Sequence, residues 1–180
     1  MHRKIVSMVL LLTLGMGGCS LSVPEAEPDG GVTKLNTGAD SPKVIESTEI
    51  VDFQCEFSLV AAVLEEESEL DGRVYKLQAV FDGENTNCKI KWHDRYGEGE
   101  TREFMTDASF MTKLQEIVAK YDFAQHNGYS HHVSGLPDMY GATLDIKYAS
   151  GESIYAYDNQ DCFILFGAMK DLVELFDTTK

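Results

Sequence analysis

Residues 51–59 alternate without a break. Val51, Phe53, Cys55, Phe57 and Leu59 are apolar, and the side chains between them, Asp52, Gln54, Glu56 and Ser58, are polar. A period of two sends successive side chains to opposite faces of an extended chain, so this stretch predicts a strand with one dry and one wet face. Such a strand needs cover on one side only, which is the habit of antiparallel sheets. The same pattern returns at residues 74–81, where Tyr75, Leu77, Ala79 and Phe81 share a side. Asp82-Gly83 opens a turn, and Cys88, Ile90 and Trp92 mark a third strand. Gly97 and Gly99 break it, and residues 101–105 predict a short edge strand.

The period then changes. Phe110, Met111, Leu114, Ile117, Val118 and Tyr121 recur at spacings of three and four, with Thr106 or Asp107 ahead as an N-cap. That is an amphipathic helix. A loop containing Gly and Pro spans residues 125–141. Leu144, Ile146 and Tyr148 alternate with polar residues, and Ala149-Ser150-Gly151-Glu152 turns the chain into a strand over 153–157. A last helix covers 164–176, with Leu165, Met169, Leu172 and Phe176 on one face and Asp158-Asn159-Gln160-Asp161 ahead as its cap. The order β-β-β-β-α-β-β-α predicts an α+β fold: a two-layer, antiparallel sheet with two helices packed on one face.

The start of the chain follows other rules. His2-Arg3-Lys4 is basic, and residues 5–16 form an apolar run interrupted only by Ser7, Thr13 and Gly15. Twelve residues are too few to span a bilayer, which takes about 20, but they match the core of a secretory signal. Met16-Gly17-Gly18-Cys19 follows directly. This resembles the lipobox of bacterial lipoproteins: a medium apolar residue, two small ones, then a cysteine. The resemblance implies a signal peptide over residues 1–18, cleavage before Cys19, and diacylglycerol, with a further N-acyl lipid, on Cys19. An ordinary signal peptide with a chance cysteine is the plain alternative. Residues 19–48 hold Pro24, Pro28, Gly30, Gly31, Gly38 and Pro42 among polar residues and show no period. They predict a disordered tether, which leaves 49–180 as a single globular domain. Asn127-Gly128-Tyr129, Val133-Ser134-Gly135-Leu136-Pro137 and Tyr148-Ala149-Ser150-Gly151-Glu152 also resemble a group of lipoproteins from Gram-positive anaerobes. That resemblance implies no activity.

Charge narrows the partners. Fifteen Lys and Arg stand against 30 Asp and Glu, a net −15. Loss of residues 1–18 would discard Arg3 and Lys4 and no acid, giving −17. Nucleic-acid binding and docking on anionic lipid both need a basic surface. The reading is therefore a chain held at the membrane by lipid alone, facing a neutral or basic envelope or extracellular partner.

Sites for chemistry are sparse. Cys55, Cys88 and Cys162 allow buried thiols or one disulfide, and no C-x-x-C occurs. His126, His131 and His132, near Asp122 and Asp138, are weak candidate metal ligands, and a loop with polar histidines is the simpler reading. The stretch from Asp82 to Asn87 has oxygen donors at alternate positions. It lacks the glycine and the glutamate of a calcium loop, so a hairpin turn is the simpler reading. Residues 65–71 are an acidic turn. No G-x-S-x-G or phosphate-binding glycine motif occurs. Tyr155 and Tyr157 alternate with Ile154 and Ala156; if Ile154 points inward, both rings reach the wet face as a candidate ligand surface. The leading expectation is a lipid-anchored, extracytoplasmic binding module without a cofactor, presenting an exposed aromatic or apolar patch. The alternative is a small extracellular hydrolase using the loop between Gly128 and Tyr140, with His131 or His132 as base.

Overall fold

The alternation at residues 51–59 does build a strand, and that strand sits in the middle of the sheet. The computed structural model describes residues 31, 33–59, 74–94, 97–135 and 141–177. Among these are β1 (Thr33–Thr37), β2 (Ile50–Ser58), β3 (Val74–Phe81), β4 (Thr86–His93), β5 (Gly99–Thr106), α1 (Ser109–Lys120), a 3-10 turn (Phe123–His126), β6 (Tyr129–Val133), β7 (Ala142–Tyr148), β8 (Ser153–Asp158) and α2 (Phe166–Asp177). The strands form one sheet in the order β1-β6-β8-β7-β2-β3-β4-β5.

Register explains the two faces. Ile154, Ile146, Phe53, Ala79, Cys88 and Phe104 lie in one row across β8, β7, β2, β3, β4 and β5. All but Phe104 are buried. The next row, Tyr155, Asp145, Gln54, Gln78, Lys89 and Glu103, faces the other way. The helices cover the first face. Phe110 of α1 meets Phe176 of α2 edge-on, with ring centroids 5.0 Å apart, and both reach the sheet through Phe53 and Phe104. Neither Thr106 nor Asp107 is the N-cap of α1; that position is Ala108, which makes no side-chain cap, and the Asp107 carboxylate accepts the Ser109 N–H at 2.8 Å from just outside the helix.

The α+β class holds, but the sheet is mixed rather than antiparallel. Every neighbouring pair is antiparallel except β6 and β8, which run parallel. The cause is local. The connection after β6 carries the chain one place too far, to β7, and the tight turn at 149–152 folds β8 back into the gap.

Two strands lie where none was expected. β6 falls inside the expected loop, and β1 falls inside the expected tether. β1 is exposed along its whole length, and β6 is half-buried throughout. Neither carries alternating burial, because both are held by backbone pairing. The chain after β1 is also fastened down. Lys43 Nζ donates to the Asn127 carbonyl at 2.6 Å, and the Asn127 side-chain amide donates to the Pro42 carbonyl at 3.0 Å. The Glu152 carboxylate accepts the N–H groups of Glu46 and Ser47. The described fold thus begins well before residue 49, and the chain from residue 20 onward contains every described element. Residues 158–161 do not cap α2, which starts five residues beyond Asp161.

Candidate functional site

Tyr155 is placed by its neighbours. Ile154 and Ala156 are fully buried, so the residue between them must point outward. Its backbone is held on both sides: its N–H donates to Asn127 Oδ1 at 3.0 Å, and its carbonyl accepts the Gly128 N–H at 2.7 Å. The ring is left 49% exposed. Beside it lies a shallow hollow of about 310 Å³ on the outer face of the sheet, lined among others by Gln54, Gln78, Thr143, Lys76 and Lys91.

Charge on this face is balanced. Lys76 pairs with Glu56 at 2.7 Å, Lys89 with Glu103 at 2.6 Å and Lys147 with Asp52 at 2.8 Å. Exposed pairs of this kind contribute about 0–1 kcal/mol each, so they define a polar surface more than they hold the fold. The expected aromatic or apolar patch is thus narrower than the sequence implied: one exposed ring within a polar field. Tyr157 shares the outer side of β8 but is half-buried. It stacks on His132 at 6.2 Å, with its hydroxyl 3.5 Å from His132 Nδ1.

The three histidines are not brought together. His131 turns to the helix-covered side of β6 and meets Asp158, His132 stacks on Tyr157, and His126 packs on Phe163 with centroids 5.0 Å apart. Successive strand residues face opposite ways, which parts His131 from His132. Among the described residues no three His, Cys, Asp or Glu side chains are grouped to hold a metal ion. Asp138, the acidic run 65–71 and Cys19 lie outside the described residues.

Asp158 is the residue that the sequence reading mistook. It is 2% exposed, and its carboxylate accepts the Tyr129 hydroxyl at 2.8 Å, the Gln160 and Asp161 N–H groups at 2.8 and 2.9 Å, and His131 Nδ1 at 3.1 Å. Burial pushes its carboxyl up, but these hydrogen bonds outweigh it and hold the group below its ordinary value. Its parity with Ile154 and Ala156 already placed it on the dry face, and that was the signal available.

An Asp–His pair orients an imidazole and can make it a base. The hydroxyl of Tyr129 hydrogen-bonds to the same carboxylate as the His131 ring, and residues 136–140 of the candidate loop lie outside the described residues. Cys55, Cys88 and Cys162 are free thiols. Burial pushes Cys162 up to about 11 and Cys88 up to about 12, and raises Cys55 well above its ordinary value, so none is a thiolate near neutral pH. The Asp82 turn spends its carboxylate on the Glu84 and Asn85 N–H groups and the Asn87 amide, as a hairpin turn does. No described helix is long and apolar enough to cross a membrane. A scan against protein-family models and searches of curated proteins and of solved structures found no match to this chain.

Proposed function

We propose that the chain is a lipid-anchored, extracytoplasmic binding module whose ligand face is the outer side of the sheet around Tyr155. One observation carries the reading. A half-exposed aromatic ring, clamped through its backbone by Asn127 and Gly128, stands in a row with Asp145, Gln54 and Gln78 on a face that neither helix covers.

The chemistry favours a neutral, hydroxyl-rich ligand, a glycan of the cell envelope. Backbone groups of these central strands are spent on the sheet, so only side chains contact a ligand. Glutamine amides offer both donors and acceptors to hydroxyl groups, and a tyrosine ring offers an apolar surface with a polar tip. Balanced charge asks for no charge on the ligand. The lipid at Cys19 supports the location. Each buried methylene contributes about 0.8 kcal/mol, so two acyl chains hold the domain at the membrane, whereas its own acidity repels anionic lipid. A neutral or basic envelope partner fits the same acidity, and nucleic acid does not.

Two measurements test the reading. The soluble chain from residue 20 onward should co-sediment with insoluble envelope glycan, and Tyr155→Ala should leave it in the supernatant. In cells, Cys19→Ser should abolish incorporation of labelled palmitate; unchanged labelling would end the lipoprotein reading.

A further inference from the structure

Asn127 joins two parts of the fold. It is 7% exposed, and its amide is spent at both ends: Oδ1 accepts the Tyr155 N–H at 3.0 Å, and Nδ2 donates to the Pro42 carbonyl at 3.0 Å. The reason lies in the sheet. β6 begins at Tyr129 and meets β8 only at Ser130–Tyr157 and His131–Asp158. Tyr155 lies before that junction and has no strand partner on the β6 side. The Asn127 amide and the Gly128 N–H stand in for one.

Pro42 belongs to a strap, residues 38–47, that follows β1 and leads to β2. The strap is fastened to the residues that hold Tyr155. Lys43 Nζ donates to the Asn127 carbonyl at 2.6 Å. Gly38 packs backbone to backbone on residues 127–129, and the Ser41 side chain fills the space beside Gly128. Ahead of the strap, β1 is an edge strand, exposed along its whole length and paired with β6. Edge segments with few buried contacts open locally, at far less cost than global unfolding. Opening this one takes the partner from Asn127 Nδ2, and a buried amide rarely stays half-paired.

We propose that the strap regulates the ligand face through Asn127. Docked, the strap fixes the amide and so holds the backbone of Tyr155. Lifted, it frees the amide. The amide oxygen and nitrogen share one plane, so a group that turns to regain a donor contact also leaves the Tyr155 N–H. Asn127 is thus a positioning residue, which acts on the ligand only through Tyr155; this rests on the reading of Tyr155 as the ligand residue. Coupling between two sites is reciprocal, so a ligand that fixes Tyr155 also closes the strap. The strap lies on the Cys19 side of the central strands, and its state reaches the ligand face without any contact between the two ends.

Amide hydrogen exchange in the chain from residue 20 onward tests this without a ligand. Lys43→Ala and Gly38→Val should each open the strap, seen as trypsin cleavage after Lys34, and should speed exchange at Tyr155 and Gly128 by at least about tenfold. Backbone groups alternate sides along a strand, so the N–H groups of Ile154 and Ala156 point to β7 and should exchange as in the wild type. Asn127→Ala should speed Tyr155 to the same degree, with Lys43→Ala adding nothing further. Both strap variants should weaken binding of envelope glycan about fivefold or more. The proposal is overturned if neither variant opens the strap, if an open strap leaves Tyr155 exchange or glycan binding unchanged, if Ile154 and Ala156 speed up equally, or if the effects of Lys43→Ala and Asn127→Ala add. A wild type that binds no glycan but shows the coupled exchange would end the Tyr155 reading alone.

Discussion

His131 Nδ1 lies 3.1 Å from each oxygen of the Asp158 carboxylate, and that carboxylate is almost wholly out of solvent. The pair ties β6 to β8 at the one parallel junction of the sheet. Asp158→Ala would strand Tyr129, His131 and two backbone N–H groups, and should cost about 3 kcal/mol or more of stability in urea denaturation. Because the folded carboxyl is held below its ordinary value of 3.8, its contribution is complete above that pH and is lost as pH falls through the lower folded value. Wild-type stability should therefore drop more steeply below pH 3.8 than that of Asp158→Asn. Parallel curves would show that the carboxylate does not carry this junction.

His126 is shifted in the same direction by a different cause, the burial of a cation. Burial depresses its imidazole, Lys43 adds to this, and Asp122 partly offsets it. Protonation is then easier in the unfolded chain, so stability is lost as pH falls below 6.5 toward the folded value. Its ring-proton NMR titration should show a midpoint below 6.5, and Lys43→Gln should move that midpoint upward.

The aromatic contact between helices and sheet is concentrated at one side chain. Phe176 is fully buried and touches Phe53, Phe104 and Phe110. Phe176→Ala should cost about 3–5 kcal/mol. A loss below about 1 kcal/mol, typical of a surface site, would mean that α2 is not pinned there.

Two glycines lock the segment once expected to be a tether. Gly38 and Gly128 both have positive φ, +68° and +77°. A Cβ on Gly38 would lie 2.7 Å from the Gly128 carbonyl carbon, and one on Gly128 would run into the Ser41 side chain. Gly128→Ala should loosen residues 33–49, so that trypsin cuts after Lys43 in the folded variant and not in the wild type. Equal resistance would place the hold elsewhere.

The sequence was legible where one face is dry. Residues 51–59 announced β2, the three-and-four spacing of Phe110, Leu114 and Val118 announced α1, and burial of Ile154 implied an outward Tyr155. It was opaque where backbone pairing alone does the work. Thr33–Thr37 offers a partner strand no apolar face, and Tyr129–Val133 is neither dry nor wet on either side. Parity placed Asp158 in the interior, but its acidity led to the reading as a helix cap. Ile50 pairs with Tyr148 and Asp52 with Lys147, so Val51 is one residue extra in β2; the alternation runs straight through it, and only the partner strand reveals the slip.

The claim that the outer face is the ligand face is tested most directly by the side-chain amide signals of Gln54 and Gln78. These groups project from that face alone, so they separate it from the core side of the same strands. On adding soluble fragments of envelope glycan, both signals should shift saturably in the wild type and stay still in Tyr155→Ala. Shifts confined to Tyr129 or His131, or Gln54 and Gln78 signals unmoved at saturating glycan, would contradict it.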